Sequence, residues 1–305
     1  MTADLSAVVV GGSLAGLTTA LAVARRGIAV TVLERSGPQP RDGGSLAATF
    51  AELVHLIGPD RARTTFAALP PGAARSHDPV LWTELREGLR AAADDDPLVS
   101  LQHSRVVTAV SQTPAWAEAV TADGTVVSAS VVIGADGHRS VVRRAVVPEH
   151  PDASYAGYGL WIGRTDESRL HGAATAEPGL DIHGSGPHYL LGYPMPPADG
   201  TAGPGRRRLG WAWFDATRNP LLRELGAVKG SIVQHSVRAA DIPESTWSEL
   251  EAHARAQWPS PWREAIVDSI RRREVTGIPI AEYVPQRSPP AGWRSSAMRR
   301  TCPPR

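Results

Sequence analysis

The chain has 305 residues, about two domains' worth, and 42% of them are hydrophobic. That is enough to fill a core, and it excludes collagen-like, mucin-like and mostly disordered chains. Lys and Arg number 32 against 31 Asp and Glu, a net charge of +1 that gives no electrostatic reason to expect nucleic acid or an anionic membrane as a partner; small molecules are the expected ligands.

In chain order, a short β-branched run at 7–10 stops at glycines, a helical stretch follows at 14–26, and a second strand-like run covers 28–33. Strand, helix, strand implies a parallel sheet. The uncharged segment 5–24 does not read as a signal peptide or a membrane span, since Asp4 precedes it and Gly11, Gly12, Ser13 and Gly16 interrupt it. Helical patterns occupy 46–57 and 81–93, joined by a Pro- and Gly-rich connection at 69–79. Strands are expected at 99–110, 115–120, 125–129 and 131–133, with Asp123-Gly124 as a hairpin turn. Beyond residue 151 the pattern changes to aromatic strands at 155–162, 189–193 and 209–214, then helices at 221–226, 245–258 and 262–272. The expected fold class is α/β, with a Rossmann-like domain over 1–150, a mixed, mainly antiparallel-sheet domain over 151–285, and an aberrant tail over 286–305. The one cysteine, Cys302, leaves no disulfide framework and fits a reducing, cytoplasmic location.

Two motifs carry chemistry. Gly11-Gly12-Ser13-Leu14-Ala15-Gly16 lies between strand and helix, and Glu34 ends the next strand. Gly11 permits the tight turn, the small Ser13 admits a pyrophosphate to the backbone, and Gly16 lets the helix pack closely with its N-terminal amides facing the phosphates. Glu34 suits ribose hydroxyls. The second motif, Gly134-Ala135-Asp136-Gly137-His138-Arg139-Ser140-Val141-Val142-Arg143, follows another strand.

Together these motifs make the chain resemble the flavin-dependent aromatic hydroxylases of the para-hydroxybenzoate hydroxylase type. Tyr155-Ala156-Gly157-Tyr158 and Leu190-Leu191-Gly192-Tyr193-Pro194 resemble the branch that includes dihydroxypyridine hydroxylase. The resemblance implies bound FAD, reduced by NADH or NADPH, and hydroxylation of an electron-rich aromatic or hydroxypyridine-like ring with molecular oxygen. A reductase or halogenase on the same flavin fold and a non-catalytic remnant are the alternatives. It also implies that Glu34 and Arg35 hold the adenosine, Arg41 the pyrophosphate and the Val106 backbone the adenine, with Asp136 and Arg139 near the pyrophosphate and the nicotinamide entry. The family often has an arginine opening the helix near Leu81, where this chain has Trp82. By location, His183, His188 and Tyr193 are candidates for touching the substrate, His188 and Tyr193 foremost. Trp161, Trp211 and Trp213 alternate on the second sheet and read as core. No metal, nucleic acid or membrane is implied, and a homodimer stays open.

The resemblance also predicts a strand followed by Gly-Asp-Ala-Ala-His near residue 300, which is absent. With GC-rich codons for Gly292 to Pro303, the frame beginning at the third base of the Gly292 codon reads Leu-Ala-Leu-Val-Gly-Asp-Ala-Ala-His-Leu-Pro. A shift of reading frame between about Arg287 and Gly292 is therefore expected, the alternative being an unrelated natural tail.

Overall fold

The structure, a computed structural model, describes residues 5–39, 44–46, 48–67, 69, 80–195, 205–285 and 294–295. Strand β1 (Ser6–Val10) is buried on both faces along its apolar run from Ala7 to Val10. Helix α1 (Leu14–Ala24) crosses over to β2 (Ala29–Leu33), and Gly27 at φ +76° makes the turn between them. Next come β3 (Ser45–Leu46), α2 (Phe50–Ile57), α3 (Pro59–Ala67), β4 (Val80–Leu81), α4 (Trp82–Asp94) and β5 (Val99–Gln102). A three-stranded antiparallel unit follows, β6 (Val107–Gln112), β7 (Ala117–Thr121) and β8 (Val126–Ala129), and then β9 (Val131–Gly134) and α5 (Val141–Val146).

The second half holds β10 (Ser154–Asp166), β11 (Asp181–Ser185), β12 (His188–Met195), β13 (Arg208–Asp215), α6 (Asn219–Glu224), β14 (Val228–Lys229), β15 (Ile232–Val233), α7 (Glu244–Gln257), α8 (Trp262–Arg271), β16 (Val275–Glu282) and β17 (Arg294–Ser295).

The first sheet runs β17-β9-β1-β2-β5 and every pairing in it is parallel. All its strands therefore end on one edge. The chain passes from β1 through α1 to β2 on one side, and β9 returns on the other side of β1. This makes β1 the switch point, where open α/β sheets form a crevice for ligands. The second sheet runs β11-β12-β13-β10-β15-β14 with β16 also on β10, antiparallel in each described pairing. The two sheets give the α/β class expected, and β17 returns the chain to the first sheet.

Several expected boundaries moved for local reasons. The helix expected from 46 begins at Phe50, because Thr49 and Glu52 form a capping box and Leu46 pairs in β3. The single strand expected over 99–110 is broken into β5 and β6 at Ser104, which takes a left-handed φ of +58°. Helices α3 and α5 and strand β16 had no clear signal; β16 contains Gly277 and Pro279, which mask a strand pattern. Of the tail 286–305 only 294–295 is described, as the short strand alongside β9; the rest, Cys302 included, lies outside the described residues.

Alternation divides the second sheet into two unlike faces. Trp161, Trp211 and Trp213 are at most 2% exposed and pack under α7 and α8 with Trp247, Trp258 and Trp262. They are core, as expected. The opposite face carries Leu160, Ala212 and Ile280, flanked by half-buried Tyr158, Ile162, Leu191, Phe214 and Ile278.

Candidate functional site

The crevice at the carboxyl edge of the parallel sheet is built by close backbone approach. Gly11 has φ +105°, and a Cβ there would lie 2.5 Å from the Ala135 carbonyl oxygen. A Cβ on Gly16 would lie 1.7 Å from the Gly11 carbonyl oxygen. The turn after β1, the first turn of α1 and the loop after β9 are thus in mutual contact, and glycine is required by space as well as by φ. Ser13 is the N-cap of α1 in an extended conformation, and its side chain makes no capping hydrogen bond. Leu14, Ala15 and Gly16 form the first turn, which holds no acidic side chain. An uncapped, unopposed helix N-terminus in a glycine cradle suits an anion such as pyrophosphate, so the residues present fit the phosphate-bearing half of FAD.

Glu34 closes the side of this cradle. It is 7% exposed, and its carboxylate accepts hydrogen bonds from the Gly12 N–H at 2.7 Å and the Ser36 N–H at 2.8 Å. A Cβ on Gly12 would lie 2.9 Å from the Glu34 Cβ. The backbone thus fixes the carboxylate at the end of β2. The loop after β5 lies alongside, with the Arg105 N–H donating to the Glu34 carbonyl at 2.8 Å. Val106, the residue expected at the adenine, is there too; it is 44% exposed, and its carbonyl accepts from the Ala122 N–H at 2.8 Å. Arg41 lies outside the described residues.

The second motif is organised by two side chains. Asp136 caps α5: its carboxylate accepts from the Ser140 hydroxyl at 2.5 Å and from the Val141 N–H at 2.7 Å. Asp136, expected near the pyrophosphate, thus also shapes the loop that leads into α5. Arg143, which closes the motif and was given no role from the sequence, is 4% exposed. Its guanidinium donates to the carbonyls of Pro151 at 2.6 Å, Gly137 at 3.2 Å and His138 at 2.5 Å, and it stacks 4.5 Å from the Tyr283 ring centroid. The motif loop, the entry to β10 and the exit from β16 are tied at one point. Exposed Arg35 and Arg139 both bear on His138, which burial first, and then the charges of Arg139, Arg35 and Arg143, hold below the usual imidazole value. Arg35 and Arg139, far apart in sequence, thus both act on one imidazole of the second motif.

The candidate substrate residues part company. Tyr193 lies on the face away from α7 and α8, is 5% exposed and packs with Met195 against Leu81 of β4. Its ring covers Gly210, where a Cβ would lie 2.2 Å from Tyr193 Cε2. His188 and His183 lie on the opposite, helix-covered face. His188 is 4% exposed, Nδ1 accepts from the Trp213 indole N–H at 3.2 Å, and the ring meets His253 edge-on at 4.2 Å. His183 Nε2 is 3.0 Å from the Asp181 carboxylate, which also accepts from the Trp262 indole at 2.7 Å. Both histidines are corrections to the expected substrate set: alternation along β12 and β11 turns them into the tryptophan core, a parity the sequence did not settle.

Trp82, in place of the family's arginine, opens α4, and its N–H donates to the Gly44 carbonyl at 2.9 Å. Beside it, Glu84 stands 3.9 Å from Arg208 at the start of β13. Burial raises the Glu84 carboxyl above the usual range, opposed by the Arg208 charge and the Leu81 amide. This pair between α4 and the second sheet had no signal in the sequence.

No protein-family model matches the chain. Among curated proteins it is 31% identical over 289 residues to the 2,6-dihydroxypyridine 3-monooxygenase of Paenarthrobacter nicotinovorans, over 86% of this chain and 68% of that protein. It is 30% identical over 185 residues to the 3-amino-4-hydroxybenzoate 2-monooxygenase PtnB3 of Streptomyces platensis, over 53% of this chain and 46% of that one. The chain thus spans about two thirds of the first relative and less than half of the second. Among solved structures, 2,6-dihydroxypyridine-3-hydroxylase from Arthrobacter nicotinovorans superposes with a TM-score of 0.68 at 23% identity, covering 93% of this chain and 74% of that one. Klebsiella pneumoniae HpxO, solved with FAD and uric acid, gives 0.60 at 17% identity, covering 92% and 69%; at these identities the structural likeness establishes the fold.

Proposed function

Because the chain belongs to the FAD-dependent monooxygenases of the hydroxylating type, we propose that it hydroxylates a small electron-rich ring of the hydroxypyridine or hydroxybenzoate kind, using NADH or NADPH and molecular oxygen. One observation carries this reading: a glycine-built crevice at the ends of β1, β2 and β9 stands beside an antiparallel sheet whose face away from α7 and α8 is apolar and aromatic. Bound FAD would supply electron transfer and oxygen activation.

The chain's own residues do the rest. The Gly11–Gly16 turn and the N-terminal amides of α1 receive the pyrophosphate, Glu34 faces the ribose, and Arg35 and Arg139 add positive charge at the mouth for phosphate groups of the cofactor or its reductant. On the substrate side, Leu160, Ile162, Leu191 and Ala212 form an apolar wall that excludes water, and buried Tyr193 places a phenol at its end. A division near residue 150 into cofactor and substrate domains, and a cytoplasmic location, belong to the same proposal. No helix among the described residues is long and apolar enough to cross a membrane.

The test is aerobic oxidation of NADH and of NADPH by the FAD-supplemented protein with 2,6-dihydroxypyridine and 3-amino-4-hydroxybenzoate, with product mass measured. Substrate-dependent oxidation and gain of one oxygen atom are expected. Reductant consumed without an oxygenated product would point to a reductase instead.

A further inference from the structure

Where β12 begins, His188 stands between two groups that make opposite demands on one nitrogen. Its Nδ1 lies 3.2 Å from the Trp213 indole nitrogen and 3.5 Å from Oδ1 of Asp215, which ends β13 and is 0% exposed. An indole N–H only donates and an ionised carboxylate only accepts. Nδ1 therefore serves Trp213 with its lone pair when His188 is neutral, and serves Asp215 only by carrying a proton. One nitrogen cannot do both, so the site has two arrangements that differ by a single proton.

The surroundings give the exchange a mechanical consequence. Trp213 stands edge-on to His253 at 5.3 Å and to Trp258 at 5.7 Å, and His253 meets His188 at 4.2 Å. His253 belongs to α7 and Trp258 is its C-cap, so His188 and Trp213 form the sheet's side of the seat of that helix. Asp215 is held as a carboxylate by donors: Oδ1 accepts from the Thr217 N–H at 2.8 Å and hydroxyl at 2.6 Å, and Oδ2 from the Trp161 indole at 3.3 Å. The Thr217 hydroxyl is a rotor, and turning it away opens Oδ1 to a proton on His188. Arg218, the N-cap of α6, lies 3.5 Å from Oδ2 and is paired with Glu249 of α7. Asp215 from β13, Arg218 before α6, and His253 and Glu249 from α7 are the titratable and charged groups around His188 among the described residues.

We propose that His188 is an acid-sensing latch: on taking up a proton it leaves Trp213 for Asp215 and loosens α7 from the second sheet. The proton adds to Nδ1, the Trp213 N–H loses its acceptor, and the buried carboxylate gains a charged partner. Protonation thus breaks the polar contact under α7 and places a cation against the His253 ring. Two charged rings at 4.2 Å repel, so one proton suffices to open the latch. Burial, aided by His253 and Arg218 and opposed by Asp215, holds the imidazole below its usual value, which keeps the latch closed at neutral pH.

The test follows the FAD-supplemented full chain, labelled with nitrogen-15, by NMR from pH 7.5 to 5.0, with amide hydrogen exchange at both ends of the range. His188→Gln is the closed control, since its amide oxygen accepts from Trp213 and takes up no proton. At pH 7.5 the wild-type His188 should show an unprotonated Nδ1 and a protonated Nε2. On acidification the Trp213 indole N–H resonance should move with the His188 midpoint, and it should stay in place in His188→Gln. At pH 5.0 the amides of 247–254 should be tenfold or more less protected in the wild type than in His188→Gln, a larger loss than in β1 and β9. A protonated Nδ1 at pH 7.5, or a Trp213 resonance that ignores the His188 titration, overturns the inference. So does an equal loss of protection in α7 and the parallel sheet, or global unfolding before His188 titrates.

Discussion

Gly16 and Asp136 show how single residues shape the crevice proposed for the cofactor. Gly16→Ala would push a methyl group to 1.7 Å from the Gly11 carbonyl, so the α1 turn must open. The expected result is loss of nucleotide binding of tenfold or more, about 1.4 kcal/mol, measured by FAD fluorescence titration. Asp136→Ala removes one of the two side chains that cap α5, Ser140 being the other, and leaves the Val141 amide and the Ser140 hydroxyl without their acceptor, at a cost of about 1–3 kcal/mol in urea denaturation. Unchanged stability with lost FAD binding would return Asp136 to the cofactor. His188 makes a pH prediction. Burial is the main cause holding its pKa below the ordinary value, against the pull of Asp215. Below a pH of about 6.5 the unfolded chain takes up a proton there that the folded chain resists, so stability falls as pH falls through that region. In His188→Gln the fall between pH 7.5 and 5.5 should be shallower than in the wild type, by parallel urea titrations. Of these three, the packing role of Gly16 was readable in the sequence, because a glycine opening a helix straight after a strand permits close approach of the two. The capping role of Asp136 was not, since the same carboxylate in the same loop suits a ligand equally well. His188 was misassigned, because nothing in β12 alone states which of its two alternating sets faces the helices.

At the scale of elements, β12 and β13 separate the tryptophan core from the face turned away from α7 and α8, and glycines make room for the rings. A Cβ on Gly192 would lie 2.3 Å from the Trp262 ring, as one on Gly210 would meet Tyr193. Trp213→Ala, at a site that is 0% exposed between His188, His253 and Trp258, should cost about 3–5 kcal/mol, seen as a lowered denaturation midpoint while nucleotide binding at the other sheet is kept. Strands β1, β2 and β9 were legible because strands buried on both faces read as continuous apolar runs. β16 was hidden by its glycine and proline, and α5, six residues long, owes its N-terminal cap to Asp136 and Ser140.

Over the whole molecule, Arg143 joins what the sequence shows only as separate segments. It links the loop after β9, the Pro151 entry to β10 and Tyr283 beyond β16, so the two sheets meet at the cofactor loop. Arg143→Met would leave three carbonyls without their charged donor and should lower stability by about 3 kcal/mol, checked by denaturation with and without FAD. A motif arginine announces itself in sequence; carbonyl partners contributed by a distant linker do not.

The central claim is that the crevice at the ends of β1, β2 and β9 holds FAD by its adenosine diphosphate half. Titrating the chain with FAD, followed by flavin fluorescence, and then competing with ADP, tests it most directly. Saturable FAD binding displaced by ADP, and absent in Gly11→Val, is predicted. A folded chain that binds no FAD, or FAD that ADP cannot displace, would contradict it.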